Sequence, residues 1–277
     1  MSAHSFESRN SPDPRIQHVG DFLSNYGKPD DPGVDPHRYP GERPDHSYLT
    51  DGTDVMPLEL ATDGEFRLTT EAGVVNANDW LSAQGVKSIE DRIPVLTYGA
   101  NLCPSNLARK FSVADREDLQ IVPTVYGWMR GIEAVWHERP SQRGAYFAEL
   151  YTGPEVADTE VQVGINFLTP EQLLILHKGE STYEFGHFSE VKLSKDQSLP
   201  AFIYGGSGRV MLRDGQPIAM AGVRRRNNVL PIADSRQVLE YQFSFPAFHA
   251  AAAKELGMTP GELTPPVFTD KILRMKV

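Results

Sequence analysis

Residues 161–179 carry the tightest local constraint in the chain. Val161, Val163, Ile165 and Phe167 alternate with small or polar residues, which predicts a strand with one buried face. The strand is expected to end at Thr169, where Thr169, Pro170 and Gln172 form a capping box with proline at the first helical position. Leu173, Leu174 and Leu176 give the following helix its apolar side, and Gly179 is expected to stop it as a left-handed cap. Glu180 then falls just beyond a sharply terminated helix, ahead of another strand expected from about Tyr183 to Leu193.

The rest of the chain is rich in strand signals. Pro94 to Tyr98 reads as a short apolar strand bounded by Gly99, and Pro104 to Lys110 as a short helix with Leu107 and Phe111 four residues apart. Further strands are expected at Phe66–Leu68, over 121–136 with a break at Gly127, and over 145–151, 201–204, 209–213 and 217–223. Asp214-Gly215 is a two-residue hairpin signal. Asn78 is read as the N-cap of a brief helix through Trp80 and Leu81 that stops near Gly85, and Phe248 to Leu256 as a helix ended by Gly257. Many strands, few helices and no βαβ alternation predict an α+β or barrel-like domain. Residues 1–48 stand apart, with seven of the 21 prolines and only Ile16, Val19, Leu23 and Val34 as branched aliphatic residues. They are expected to form an extended or disordered arm, because so little apolar surface cannot offset the entropy of ordering. Residues 49–92 are expected to be an N-terminal addition packed on the main domain.

Charge and cysteine content narrow the function classes. Among 277 residues, 37 acidic side chains face 27 basic ones, a net charge of −10, which is not the footprint of a nucleic-acid or polybasic membrane-surface protein. No apolar run approaches the ~18 residues of a membrane span, and Met1 to Glu7 has no apolar signal core, so a cytoplasmic protein is expected. Cys103, the single cysteine, excludes a disulfide framework within the chain and a multi-cysteine zinc site. His18, His37 and His46, and likewise His177 and His187, fit no ligand spacing, so no metal is expected. Gly205-Gly206-Ser207-Gly208 lacks the Lys-Ser/Thr of a phosphate loop, and Arg224-Arg225-Arg226 is read as a solvated face. Cys103 is expected to be a small buried thiol, with a thiol hydrolase or acyltransferase nucleophile as the alternative.

Two segments carry chemistry together. Tyr98-Gly99-Ala100-Asn101-Leu102 runs from a strand through a glycine turn into a helix, a geometry that exposes successive backbone N–H groups able to hold a carboxylate or an oxyanion. Glu180, fixed by a helix stop and flanked by strands, is placed to act as a general base.

These segments resemble the γ-glutamyl cyclotransferase-like family. Tyr98 to Leu102 is similar to its Tyr-Gly-Ser-Asn-Leu signature. The strand with Gly164 and Phe167 and then Leu176-His177-x-x-Glu180-Ser181 with Tyr183 take the places of its Leu-Asp-x-x-Glu-Gly and following tyrosine. Pro246, Phe248 and the close at Leu256-Gly257 resemble its last helix. The resemblance covers roughly 93–257, with an expanded hairpin region at 205–245 and a C-terminal tail at 258–277. It implies a small closed mixed β-barrel with flanking helices. The implied reaction is attack of a γ-glutamyl α-amine on its own γ-carbonyl, releasing 5-oxoproline and an amine without a cofactor. Glu180 would be the acid/base, the main chain of Gly99, Ala100, Asn101 and Leu102 the cradle, and Tyr98, Tyr183 and Tyr204 lining residues. Ala100, His177 and Ser181 replace the family's serine, aspartate and glycine; Ala100 keeps its N–H, whereas His177 changes the charge beside the carboxylate. The alternative is a non-catalytic small-molecule binding module on the same fold. The expected partner is a small γ-glutamyl substrate, with no nucleic acid or membrane, and self-association through the N-terminal arm.

Overall fold

The computed structural model describes residues 13–23, 36–141, 145–180, 183–193, 197–206 and 208–264. Strands β1 (Gln17–His18), β2 (Tyr48–Thr50), β3 (Asp54–Leu60), β4 (Phe66–Thr70) and β5 (Gly73–Asn76) lead into helix α1 (Ala77–Ala83). Then come β6 (Ile93–Thr97), α2 (Pro104–Phe111), β7 (Val122–Arg130), β8 (Glu133–Trp136), β9 (Ala148–Tyr151), β10 (Glu160–Leu168) and α3 (Pro170–Gly179). Long strands β11 (Glu184–Lys192) and β12 (Ser198–Gly205) follow. Two-residue strands β13 (Leu212–Arg213), β14 (Gln216–Pro217), β15 (Ala219–Met220), β16 (Arg225–Arg226) and β17 (Ile232–Ala233) precede α4 (Ser235–Phe243) and α5 (Pro246–Glu255).

The fold is mixed α+β around one large sheet. Its strand order is β16-β10-β6-β12-β11-β7-β2-β3-β4-β5, with β1 on β3, and β10 also pairs with β7. The β6–β12 pair is parallel, while β6–β10, β10–β7 and β11–β12 are antiparallel. A smaller sheet runs β17-β15-β8-β9. Among the described residues no helix is long and apolar enough to cross a membrane.

Local chemistry explains the elements that set the site. The capping box before α3 forms as its residues dictate, with Gln172 N donating to Thr169 Oγ1 at 3.2 Å and Thr169 N to Gln172 Oε1 at 2.8 Å. Asp214 and Gly215 take φ of 52° and 80°, the positive values that a tight hairpin turn requires. Val95, Leu107, Phe111, Val122, Leu168, Leu176 and Tyr204 form a buried cluster that locks α2 and α3 onto the sheet. That packing brings the end of α2 beside the end of α3.

Several expectations are corrected. The N-terminal segment is not a loose arm where it is described: β1 pairs with β3, and Val19, Phe22 and Tyr48 are buried against Val55, Cys103 and Ala108. Residues 1–12 and 24–35 lie outside the described residues. Strands β2 to β4 add their Leu49, Leu58 and Leu68 to the same core as Ile165. Helix α1 is capped by Asn76, whose side chain accepts from Asn78 N and Asp79 N, while Asn78 Oδ1 accepts from Ile89 N. Gly127 does not break its strand; the break falls at Gly131, with φ of 76°. Gly127 is needed because a Cβ there would lie 2.5 Å from the Lys192 carbonyl oxygen of the neighbouring strand. Strand β10 is buried on both faces from Val163 onward, since α2 and its preceding turn cover the second face. Gly179 ends α3 without a left-handed conformation, and Glu180 is the C-cap at φ −105°. Arg225 is not solvated: it ion-pairs with the fully buried Glu133 at 3.0 Å. Helix α4, outside the expected elements, arises from an Asp234–Gln237 capping box. Of the expected C-terminal tail, Leu263 is buried and its carbonyl meets His249 Nε2 at 2.6 Å, and 265–277 lie outside the described residues.

Candidate functional site

Strand β6 ends at Thr97, and the chain passes through Tyr98 and Gly99 into the 3-10 turn Ala100–Leu102. Every carbonyl of the turn is engaged. Gly99 O accepts from Leu102 N at 3.1 Å and Ala100 O from Cys103 N at 3.0 Å. Asn106 Nδ2 donates to Ala100 O, Asn166 Nδ2 to Asn101 O, both at 3.0 Å, and Tyr48 OH to Leu102 O at 3.1 Å. Asn166 is held in turn by Thr124 Oγ1 at 3.0 Å. The N–H groups of Ala100 and Asn101 head the turn and have no partner within it, the arrangement that suits an anion. Leu102 is corrected as a cradle donor, because its N–H is spent on Gly99. Its role is packing: a Cβ on Gly164 would lie 2.1 Å from Leu102 Cδ2.

Glu180 meets this turn directly. Its Oε1 accepts from Asn101 Nδ2 at 3.0 Å and from Lys110 Nζ at 2.7 Å, while Lys110 also donates to Asn101 Oδ1 at 2.8 Å. The three side chains form a closed triangle in which only 12% of the Glu180 side chain and 18% of the Lys110 side chain are exposed. Burial pushes the Glu180 carboxyl up, but the Lys110 charge and the bonds from Lys110 and Asn101 outweigh it, so the group sits below its ordinary value of 4.5. Oε2 takes none of these bonds. Asn101 thus couples the amide cradle to the carboxylate.

The three tyrosines surround that junction. Tyr98 OH donates to Tyr204 O at 2.8 Å, and Tyr183 OH to Ala148 O at 2.5 Å. Burial, with the negative charges of Glu149 and Glu180 added, pushes the phenols of Tyr98 and Tyr183 well above their usual range. Burial pushes Tyr204 to about 12. Glu149 is itself fully buried, its Oε1 accepting from Leu150 N at 2.9 Å and Gly206 N at 3.1 Å. Gly206, from the glycine-rich run, therefore serves a carboxylate, and Ser207 lies outside the described residues. His177 pairs with Tyr204 OH, 3.0 Å from its Nδ1, with Phe185 edge-on at 5.7 Å. The charge beside the catalytic candidate is set instead by Lys110. Ser181 lies outside the described residues.

Lys110, Asn106, Asn166 and Glu149 were missed as site residues. The i, i+4 spacing of Asn106 and Lys110 on α2 was a usable signal, since it puts both on one helix face above the turn. Asn166 and Glu149 gave none, because their partners lie 65 and 57 residues away. Cys103 is buried, and its thiol is pushed up to about 11 by that burial, which argues against a resting thiolate nucleophile. Hollows of about 700 Å³ beside Gly52, Trp80 and Gln120, and about 380 Å³ beside Phe66, Pro94 and Leu199, are lined by neither Glu180 nor the turn. Among the described residues no three His, Cys, Asp or Glu side chains gather as a metal site. No protein-family model matches the chain, and no curated protein matches it significantly.

Proposed function

We propose that this chain catalyses a γ-glutamyl cyclotransferase-type reaction with Glu180 as the proton carrier. The observation that carries the reading is the buried Glu180 sharing Asn101 with the head of the Gly99–Leu102 turn, 79 residues away in sequence. The same reading takes β6, β12, β11, β7 and β10 as a small closed barrel, supported by the pairing of β10 with both β6 and β7. The barrel end nearest Gly99 is then the mouth of the site.

In the reaction, the glutamyl carboxylate lies on the Ala100 and Asn101 N–H groups. The α-ammonium faces Glu180 Oε2 and gives it one proton. The freed amine attacks the γ-carbonyl, forming the ring C–N bond. Glu180 gives its proton to the leaving nitrogen and takes the second proton from the ring nitrogen; collapse of the tetrahedral intermediate then breaks the bond to the leaving amine, and Glu180 returns that proton to it, so that 5-oxoproline and an ammonium are released. Holding both reacting groups of one substrate in a bent geometry supplies much of the rate enhancement. Lys110 keeps Glu180 ionised and ready to accept, and Asn101 keeps it aimed at the cradle.

Release of 5-oxoproline from a panel of γ-glutamyl amines and peptides tests the reading. Glu180→Gln should lower turnover by ~10²–10⁴-fold, the usual worth of a general acid–base group, in protein shown to be folded by circular dichroism, with a lower melting temperature because Lys110 loses its buried partner. Wild-type turnover in that variant removes Glu180 from the role. The ion pair with Lys110 supports a second reading, a binding module in which the carboxylate only holds a ligand amine. Ligand binding with no 5-oxoproline formed from any panel member would select it.

A further inference from the structure

Arg92 stands one residue before β6, and the fold buries it, leaving only 4% of the residue exposed. Its Nε donates to Lys87 O at 3.1 Å and its Nη1 to Ile121 O at 2.9 Å. Phe167 O and Gln172 Oε1 lie at 3.4 Å from the same Nη1. Nη2 is shielded from solvent and has no hydrogen-bond partner. All the acceptors are neutral. Among the described residues no carboxylate pairs with this guanidinium, and burial alone lowers it, to about 10, so it remains charged at neutral pH. Arg225, by contrast, meets the Glu133 carboxylate at 3.0 Å. A buried guanidinium with one unspent nitrogen and no counter-charge is a costly arrangement for a fold to keep.

The same residue walls a hollow. A space of about 380 Å³ lies among the β3–β4 hairpin, β6, β10 and the start of β12, with Phe66, Pro94, Phe167, Leu193 and Leu199 as its apolar walls and Arg92 beside them. Phe66 and Phe167 meet there edge-on, their rings 6.2 Å apart. Glu90 is the other charged residue of the lining; it is exposed, and its Oε2 accepts from Asn78 Nδ2 at 2.8 Å. The volume falls in the lower part of the ~300–1,000 Å³ that small-molecule sites occupy, and apolar walls with very few polar groups are their usual make-up.

We propose that this hollow binds a small carboxylate with an apolar body, its carboxylate accepting from Arg92 Nη2 and its body lying against Phe66, Phe167 and Leu199. The carboxylate supplies the counter-charge that the chain itself withholds, and a charge-assisted bond to guanidinium is among the strongest such contacts. The walls favour a hydrocarbon body over a bare inorganic anion, because they reward burial of apolar surface and offer nothing to a stripped hydration shell. This site is separate from Glu180 and does not depend on the chain's cyclising any substrate.

Calorimetry on the full chain with 4-phenylbutyrate and octanoate tests the proposal, with 4-phenylbutyramide and inorganic phosphate as controls. Saturable one-to-one binding of at least one carboxylate is expected, with the amide and phosphate about tenfold weaker or more. Arg92→Met removes the charge and should weaken carboxylate binding by about tenfold or more. Ser198→Trp, at an exposed lining residue, crowds the hollow without touching Arg92; it should weaken binding to the same extent and serves if Arg92→Met does not fold. An amide that binds as well as its acid overturns the role of Arg92, and phosphate that binds as tightly as the carboxylates overturns the ligand class. Undiminished binding in a folded Arg92→Met or in Ser198→Trp, or no saturable binding of either carboxylate up to about 1 mM, overturns the site itself.

Discussion

Replacing Lys110 by methionine strands a carboxylate. In the wild-type protein Glu180 Oε1 holds Lys110 at 2.7 Å, with the Glu180 and Lys110 side chains 12% and 18% exposed. Removing one partner of a fully buried pair costs ~3–5 kcal/mol, and the residual exposure and the surviving Asn101 bond bring the expected loss to about 2–4 kcal/mol at pH 7.5. The pH dependence is the sharper test. The folded-state value of Glu180 is depressed in the wild-type protein, so its contribution is present above about 4.5 and is lost as pH falls through the folded value. In Lys110→Met the lowering influence of Lys110 is gone and burial dominates, which raises the folded-state value. The penalty is then absent at low pH and appears as pH rises past the unfolded value. Both changes act in one direction, and the stability gap between the two proteins should narrow as pH falls through 4.5 and below. Urea denaturation of both proteins at pH 7.5, 6, 5 and 4 measures this gap. A gap that stays constant across the series would show that Lys110 stabilises by packing its stem rather than by holding an ionised Glu180, and the site's charge logic would fall with it. If the protein turns over a γ-glutamyl substrate, the acidic limb of its pH–rate profile should also move upward in Lys110→Met.

Two further outcomes follow from packing and burial. Gly164→Ala puts a methyl 2.1 Å from Leu102 Cδ2, so the buried Leu102 side chain must move; a loss of about 1–3 kcal/mol in urea denaturation is expected. The Cys103 thiol, buried and pushed up to about 11, should react with a disulfide reagent at pH 8 only as fast as the protein opens, and Cys103→Ser should retain any cyclising activity.

The site was legible where function depends on adjacent residues. The glycine turn at 98–102 and the helix end before Glu180 are local features and both are present in the structure, although Gly179 closes α3 without a left-handed conformation and the Leu102 N–H is spent on Gly99 O. The partners of those features were not legible. Lys110 reaches Glu180 only because a core of Val95, Leu107, Leu168 and Leu176 presses α2 and α3 onto one sheet face. Nothing in residues 104–111 alone says which carboxylate that amine will meet. Tyr39 lay in a stretch whose sparse aliphatic content argued against order, yet its ring packs on Trp136 and its hydroxyl occupies the space beside Gly99, and these contacts help to hold its neighbourhood in place.

By itself the sequence determined the elements whose stability is local: the Thr169 capping box, the Asp214-Gly215 hairpin and the proline-led helices. These depend on dihedral preferences and hydrogen bonds within a few residues, which composition encodes directly. Tertiary structure alone decided why Gly127 and Gly164 must lack side chains, which arginine of 224–226 is buried, and what surrounds Glu180. Each of those depends on what a distant segment presses against it, a Lys192 carbonyl, a Leu102 methyl, a Glu133 carboxylate and a Lys110 amine, and close packing turns such contacts into requirements only after the chain has folded.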